Sequence, residues 1–231
     1  MHRRVFVIAL VLLSAVAPAR AAEVQVAVAA NFAEPLQRIG AGFTAATGHV
    51  LKVSSGATGK FYSQIVAGAP FEVLLAADDA TPARLLREGH AVAGTAFTVA
   101  IGRLVLWSAQ PGFVDDQGAV PGSAQVRPVA IANPKLAPYG AAALQVLRAR
   151  GVADVLRPKL VTAENIAQAY QFVATRNAEL GFVALSQVRV PGKVAAGSYW
   201  VVPPNLYGDI RQDAVLLKSG EKNPAARALL A

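Results

Sequence analysis

The sequence predicts an α/β fold of two lobes joined by crossing strands, with a mixed, mostly parallel sheet flanked by helices in each lobe. Three observations predict it. Short apolar segments of strand length alternate with segments of helical periodicity. This alternation occurs in two sets of units, which the long apolar segment 98–107 separates. Apolar segments near the end of the chain can then return to the first lobe.

The first 21 residues are predicted to be a cleaved secretory signal peptide. His2, Arg3 and Arg4 precede an apolar run over 5–17, and Ala19-Arg20-Ala21 has the small-x-small pattern of a cleavage site. The alternative is a membrane anchor, but a run of about 13 apolar residues is too short for a bilayer, which needs about 20. We therefore expect export to the periplasm.

The composition disfavours several classes of protein. The chain has no cysteine, which excludes disulfides, thiolate metal sites and a catalytic thiol. Removing the three leader arginines leaves 19 of the 22 basic residues against 14 acidic ones, a net charge of +5. That charge either steers anions towards the protein or only maintains solubility. Nucleic-acid binding is not indicated, because the Lys and Arg residues are scattered and not interleaved with aromatic residues.

Three strand–helix units are predicted in the first lobe. Their strands are the apolar segments 24–29, 50–53 and 71–76. The helices that follow are marked by the spacing of Leu36, Ile39 and Phe43, by the segment 60–66, and by Thr81-Pro82 as cap and first residue. Asn31 and Glu34 resemble a capping box at the first helix. The small residues of 54–59 predict a turn.

The second lobe repeats the pattern. Its predicted strands are 129–132, 160–161 and 180–185, and its helices run from Tyr139-Gly140 to Gly151 and from about Asn165 to Ala174. The segment 115–126 is predicted to be a surface loop, and 200–202 and 214–217 are late strands that can return to the first lobe. We therefore assign residues 22–99 and 203–231 to lobe 1 and residues 100–202 to lobe 2.

Four strand-to-helix junctions form the candidate ligand site. In α/β sheets ligands bind beyond the carboxyl ends of the strands, and helix N-termini offer unpaired N–H groups and a positive dipole end. The sequence therefore predicts an anion site at these junctions. Their residues are Ala30-Asn31, Ala57-Thr58-Gly59, Pro138-Tyr139-Gly140 and Glu164-Asn165-Ile166.

The second junction has two other readings. The segment 54–60 is glycine-rich like a nucleotide-binding P-loop, but Ser54 stands where the first glycine would be, and Phe61 replaces the hydroxyl residue that holds magnesium. Thr58 could also be an ordinary helix cap.

Seven segments stand in a recognisable order. They are 26–32 (VAVAANF), 54–65 (SSGATGKFYSQI), 67–73 (AGAPFEV), 132–134 (ANP), 138–140 (PYG), 163–166 (AENI) and 179–184 (ELGFVA). Together they resemble the periplasmic molybdate-binding proteins, and the resemblance covers nearly the whole chain after the leader. It implies a type II periplasmic-binding-protein fold with the ligand cleft between the lobes. It also implies molybdate or tungstate as ligand, no cofactor, and a monomer that docks on an inner-membrane ABC permease.

The resemblance also implies the ligand contacts. Asn31 would donate from its side chain and main chain, Thr58 from its hydroxyl and amide, and Tyr139 and Ile166 from main-chain N–H groups. Ala30 and Gly59 complete the expected oxyanion-binding set. Tyr139 could instead simply pack over the cleft, and Ile166 could be a core residue. Either role is compatible with a main-chain contact.

The chain departs from the family pattern at three places. Ala184 offers no side-chain donor where some members have Tyr, so the site resembles the subgroup with Asn in the first loop. Glu72 replaces an Asp and is interpreted as structural. The chain ends at Ala231 soon after Asn223-Pro224 opens a helix, where family members continue, so we expect a truncated end.

Other functions remain open at this point. Neutral donors suit a fully ionised dianion, so sulfate and thiosulfate are alternatives to molybdate, whereas an organic anion usually needs an Arg clamp that the four junctions lack. An exported hydrolase would need a nucleophile, a base and an orienting acid. His49 and His90 lie at predicted loop positions, and no catalytic motif surrounds them. A transcriptional regulator is disfavoured by the leader and by the lack of a helix-turn-helix segment.

Overall fold

The structure is a computed structural model that describes residues 21–118, 128–189, 192 and 197–231. The predicted leader, except Ala21, and residues 119–126 of the predicted surface loop lie outside the described residues. Ten strands are described: β1 (Glu23–Ala29), β2 (Val50–Gly56), β3 (Val73–Leu75), β4 (Phe97–Gly102), β5 (Leu104–Ser108), β6 (Val129–Ala132), β7 (Leu160–Ala163), β8 (Leu180–Ala184), β9 (Ser198–Val201) and β10 (Ile210–Leu216). The α-helices are α1 (Ala33–Thr47), α2 (Thr58–Val66), α3 (Ala80–Arg87), α4 (Pro138–Ala149), α5 (Ala153–Leu156), α6 (Ile166–Ala174), α7 (Leu185–Val188) and α8 (Pro224–Leu229).

The strands form two mixed sheets of five. The first has the order β2-β1-β3-β10-β4 and the second β7-β6-β8-β5-β9. In the first sheet β1 is parallel to β2 and β3, while β10 is antiparallel to β3 and β4. In the second, β6 is parallel to β7 and β8, while β5 is antiparallel to β8 and β9. Two mixed sheets flanked by helices confirm the predicted fold class.

The central strand β1 of the first sheet is buried on both faces. Val24, Val26 and Val28 belong to one apolar cluster with Leu36, whereas Ala27 packs into a second cluster with Phe61. Successive side chains of a strand point to opposite faces, so helices must cover both faces of this central strand. That arrangement places the ends of β1 and β2 next to the starts of the helices that follow them.

The two lobes are connected by two crossings. The chain leaves the first sheet at the end of β4, passes through Arg103 and enters the second sheet at β5. It returns between β9 and β10, over residues 202–209. The sheet therefore changes at Arg103, a few residues after the predicted boundary at 99. The assignment of residue ranges to lobes stays a prediction. Of the two late strands, only β10 joins the first sheet, so the expectation that 200–202 returns to it is wrong.

Two predicted helix starts are also wrong. A short 3-10 helix over Ala30–Phe32 precedes α1, whose N-cap is Phe32, so Asn31 lies too early to form a capping box with Glu34. Glu34 instead pairs with Arg38 at 2.7 Å. At α3 the helix begins at Ala80, after Asp79, so Thr81 is not its cap.

The turn predicted over 54–59 is shorter than expected. Strand β2 continues to Gly56, because its residues stay paired with β1 as far as Ala29. Helix α2 then begins at Thr58.

Within the described residues, no helix combines the length and apolar character that a membrane crossing requires.

Glu72 has a structural role in the first lobe. Its Oε2 accepts the Gln25 N–H at 2.8 Å and its Oε1 accepts an Nδ2 hydrogen of Asn223 at 2.9 Å. Asn223 caps α8 by accepting the Ala225 N–H. The carboxylate therefore joins β1 to the start of α8, which supports the structural interpretation made from the sequence.

Replacing Glu72 with alanine is expected to lower stability but not ligand affinity. Two hydrogen bonds to a charged acceptor are lost, and because Glu72 is only half-buried the cost is about 2–3 kcal/mol, less than two fully buried bonds would contribute. For a chain of this size that corresponds to a fall of about 4–12 °C in Tm. Thermal unfolding measures the loss, and Glu72→Gln, which keeps one acceptor oxygen, should fall in between. Weakened anion binding at an unchanged Tm would contradict this role.

Candidate anion-binding site

Residues from all four predicted junctions meet between the lobes. Ala30 and Ala57 of lobe 1 share one buried apolar cluster with Tyr139 and Ile166 of lobe 2. Each follows the carboxyl end of a strand, because β1, β2, β6 and β7 all point towards this cleft. The predicted grouping of the four junctions is therefore present in the folded chain.

Direct hydrogen bonds hold the lobes together beside this cluster. The Gly59 N–H donates to the Leu136 carbonyl at 2.9 Å, and the Ser186 hydroxyl donates to the Asn31 carbonyl at 3.2 Å. The conformation is therefore closed. Gly59 was expected to contact the ligand, but its amide is engaged in closing the lobes, so we leave it out of the donor set.

Three helix N-termini face the cleft with uncommitted amides. Thr58 is the first residue of α2, Tyr139 the second of α4 and Ile166 the first of α6. The first N–H groups of a helix have no partner within the helix. Across the described residues, no hydrogen bond uses the backbone N–H of any of these three as donor. Such amides are donors that an anion can use.

Thr58 contributes a buried hydroxyl as well. Its side chain does not cap α2, whose N-cap is Ala57, so the reading of Thr58 as an ordinary helix cap is wrong. Instead Oγ1 accepts the Ala77 N–H at 2.9 Å, and the residue is only 1% exposed. A hydroxyl that accepts one hydrogen bond still has its own proton to donate.

Asn31 lies in a hydrogen-bonded chain of side chains that crosses between the lobes. Its Nδ2 donates to Gln212 Oε1 at 2.7 Å, and Gln212 Nε2 donates to Tyr139 Oη at 3.4 Å. Asn31 Oδ1 is buried and has no hydrogen-bond partner among the described residues. Sequence reasoning missed Gln212, because it lies 181 residues from Asn31 and no local pattern marks it.

Tyr139 supplies a neutral hydroxyl to that chain. Burial raises the pKa of its phenol above the ordinary value, and Tyr207 adds to the shift. The group is therefore protonated throughout the physiological pH range and remains a donor. A side chain at Gly102 would place its Cβ 2.3 Å from the Tyr139 hydroxyl, so a glycine is needed there for the tyrosine to reach Gln212.

The start of α6 is positioned by side chains on either side of it. Asn165 caps the helix by accepting the N–H groups of Ala167 and Gln168, both at 3.0 Å. Gln187 donates to the Ile166 carbonyl at 3.3 Å and accepts the Ala184 N–H at 3.0 Å. The first amide of α6, that of Ile166, donates to no partner among the described residues. Gln187 is a second residue that sequence reasoning missed.

Two cavities flank the cluster. One of about 330 Å³ is lined by Gly59, Ala77 and Asp78, and one of about 300 Å³ is lined by Asn31, Gly102, Arg103, Tyr139, Arg189 and Gln212. Burial raises the pKa of the Asp78 carboxyl, which lines the first cavity. The six predicted site residues include no carboxylate.

A further cavity lies away from this site. It has a volume of about 630 Å³ and lies within lobe 2 among apolar side chains such as Leu106, Val146 and Phe182. Arg150, the charged side chain in its lining, lies over the ring of Trp200 at 5.5 Å. Most of its walls are apolar, and residues of the four predicted junctions do not line it.

His49, one of the two histidines considered for a hydrolase, lies away from the four junctions. His49 accepts the Ala22 N–H through Nδ1 at 3.1 Å, at the far end of the β1–β2 pair from the four junctions. In the part of the chain that the structure describes, no group of three or more His, Asp or Glu side chains is arranged to hold a metal ion.

The known proteins that this chain resembles are solute-binding proteins. The model of the family of bacterial extracellular solute-binding proteins matches residues 24–231. The molybdate-binding protein ModA of Azotobacter vinelandii is 61% identical over 212 residues, which are 92% of this chain and 84% of that protein. ModA of Rhodobacter capsulatus is 56% identical over 213 residues, covering 92% and 83%. The solved structure of the Azotobacter vinelandii periplasmic molybdate-binding protein has a TM-score of 0.85 at 42% identity, and the match covers 90% of each chain.

Proposed function

This chain belongs to the family of bacterial extracellular solute-binding proteins, and we propose that it captures molybdate or tungstate in the cleft between its lobes for an ABC importer. The oxyanion would be held by Asn31 and Thr58 of lobe 1 and by the amides of Tyr139 and Ile166 of lobe 2. The amide of Ala30, beside Asn31, would complete the set.

One observation carries this proposal. Three helix N-termini converge on one buried cluster, and their first amides have no partner among the described residues. A tetrahedral dianion can accept hydrogen bonds in several directions at once, which matches donors that approach from both lobes. Closing the lobes removes the anion from water and strengthens each of these hydrogen bonds.

The donor set also accounts for the class of anion. A site built only of N–H and O–H donors offers no acceptor to a protonated oxyanion, so hydrogen phosphate would leave a proton unpaired. Sulfate is fully ionised as well, and its exclusion would depend on the size of the closed cavity. The names of the 61% and 56% identical relatives favour molybdate over sulfate.

The cellular setting follows from the same proposal. The protein would act in the periplasm after removal of residues 1–21 and would deliver its ligand as a monomer to an inner-membrane permease. It would act without a cofactor and would release the bound oxyanion unchanged.

Thermal unfolding with added oxyanions tests the function. A ligand at about 1,000 times its Kd adds roughly 4 kcal/mol to the native state. For a chain of this size that raises Tm by about 8–16 °C. We expect this rise with molybdate and tungstate, and little change with sulfate or phosphate at the same concentration. A rise with sulfate alone would overturn the ligand, and no rise with any oxyanion would overturn the function.

A further inference from the structure

Gln212 is a buried residue of β10 that contacts Asn31. None of the predicted ligand residues lies on this strand. We propose that Gln212 is a positioning residue, which holds the Asn31 carboxamide with its N–H end towards the oxyanion and its C=O end away from it. This inference rests on the proposed function and adds a determinant of which anions are accepted.

The burial of both carboxamides makes their orientation consequential. Asn31 and Gln212 are each 4% exposed, and the atoms that join them lie 2.7 Å apart. Gln212 reaches this position at an irregularity in β10, where the register with β4 shifts between Gln212 and Asp213. Because Gln212 occupies one end of the Asn31 carboxamide, only the other end can contact a ligand.

The chain of hydrogen bonds can run in either of two directions. As placed, Asn31 donates to Gln212 and Gln212 donates to Tyr139, which leaves Asn31 Oδ1 buried without a partner in the described chain. Turning both carboxamides by 180° exchanges nitrogen and oxygen at nearly the same positions. Tyr139 then donates to Gln212, Gln212 donates to Asn31, and the free end of Asn31 is an N–H donor.

A bound dianion selects the second direction. It can only accept hydrogen bonds, so it is repelled by a carbonyl oxygen and attracted by an N–H group. In this second direction the neutral Tyr139 hydroxyl donates its own proton to Gln212, so it does not need to accept an N–H from Gln212. Every polar atom of the three side chains then has a suitable partner, as buried polar groups require.

The same chain couples Asn31 to the closure of the lobes. Tyr139 is on α4 of lobe 2, whereas Asn31 and Gln212 belong to lobe 1, so the chain is complete only when the lobes are closed. Its loss would free the Asn31 carboxamide to turn. With its C=O towards the ligand, Asn31 could accept the proton of hydrogen phosphate. Gln212 would therefore lower the affinity of the site for protonated oxyanions and raise its affinity for dianions.

A double-mutant cycle with Asn31 tests whether Gln212 acts through that residue. Gln212→Met keeps the length of the side chain and removes both hydrogen bonds. We expect it to weaken molybdate binding about tenfold and to reduce the preference for molybdate over inorganic phosphate, both measured by calorimetry near pH 7. In the Asn31→Ala background the same change should have almost no further effect, because coupled residues are not additive.

Two further variants complete the test. Gln171→Met, the same substitution at an exposed glutamine of α6, should leave binding unchanged. Tyr139→Phe keeps the backbone amide and removes the hydroxyl at one end of the hydrogen-bonded chain of side chains. If Gln212→Met does not fold, a double-mutant cycle of Tyr139→Phe with Asn31→Ala takes its place. Additive effects in both cycles would overturn the positioning role while the wild type still binds molybdate. A wild type that binds no oxyanion would instead overturn the proposed function.

Discussion

Replacing Asn31 and Thr58 together with alanine is expected to weaken molybdate binding by about 10²–10⁴-fold. Each side chain supplies a buried donor to a dianion, and a hydrogen bond to a charged group contributes about 1.5–3 kcal/mol. Every 1.4 kcal/mol corresponds to a factor of ten in Kd. Isothermal titration calorimetry of the double variant and of each single variant measures the loss.

The controls for this prediction follow from the second role of Thr58. Its hydroxyl also accepts the Ala77 N–H, so Thr58→Ala leaves that buried amide without a partner and lowers stability by about 1–3 kcal/mol. Affinity must therefore be measured well below the Tm of each variant. Thr58→Ser keeps the hydroxyl and should bind almost as tightly as the wild type. A folded double variant with wild-type affinity would rule out these two residues as ligands.

Replacing Gly140 with alanine is expected to produce the largest loss of stability. A Cβ there would lie 2.1 Å from the Ala132 carbonyl oxygen and 2.7 Å from its carbon, both backbone atoms of β6. The start of α4 would have to move away from the sheet, which costs about 3 kcal/mol or about 6–12 °C in Tm. The Tyr139 amide would move with it, so anion binding should weaken as well. Thermal unfolding and calorimetry measure the two effects.

Gly42 provides the matched control. It lies on the exposed side of α1, and no atom comes within 4 Å of a Cβ built there. Alanine is a better helix former than glycine, so Gly42→Ala should stabilise the protein by about 0.5–1 kcal/mol and leave affinity unchanged. Similar Tm values for the Gly140→Ala protein and the wild type would show that α4 does not depend on this close contact.

Much of the fold was predictable because its signals are local. Apolar segments of strand length and helical spacing identified β1, β6, β8 and most of the helices. The family resemblance was confirmed by relatives at 61% and 56% identity. Most of the errors occurred at element ends, and one concerned the sheet to which the strand at 200–202 belongs. The 3-10 helix over Ala30–Phe32 and the continuation of β2 to Gly56 depend on pairing with neighbouring strands, which periodicity does not report.

The sequence by itself located the four strand-to-helix junctions, because a helix N-terminus leaves its first N–H groups without a partner whatever its side chains are. The family resemblance then implied Thr58, Tyr139 and Ile166 as ligand contacts, and that assignment stays a prediction. Only the tertiary structure decided how Asn31 and Gly59 are used. Strand order brings Gln212 against Asn31, and lobe closure brings Leu136 to the Gly59 amide. Contacts between residues so far apart in the chain are set by how whole elements pack, and short-range sequence patterns carry no record of them.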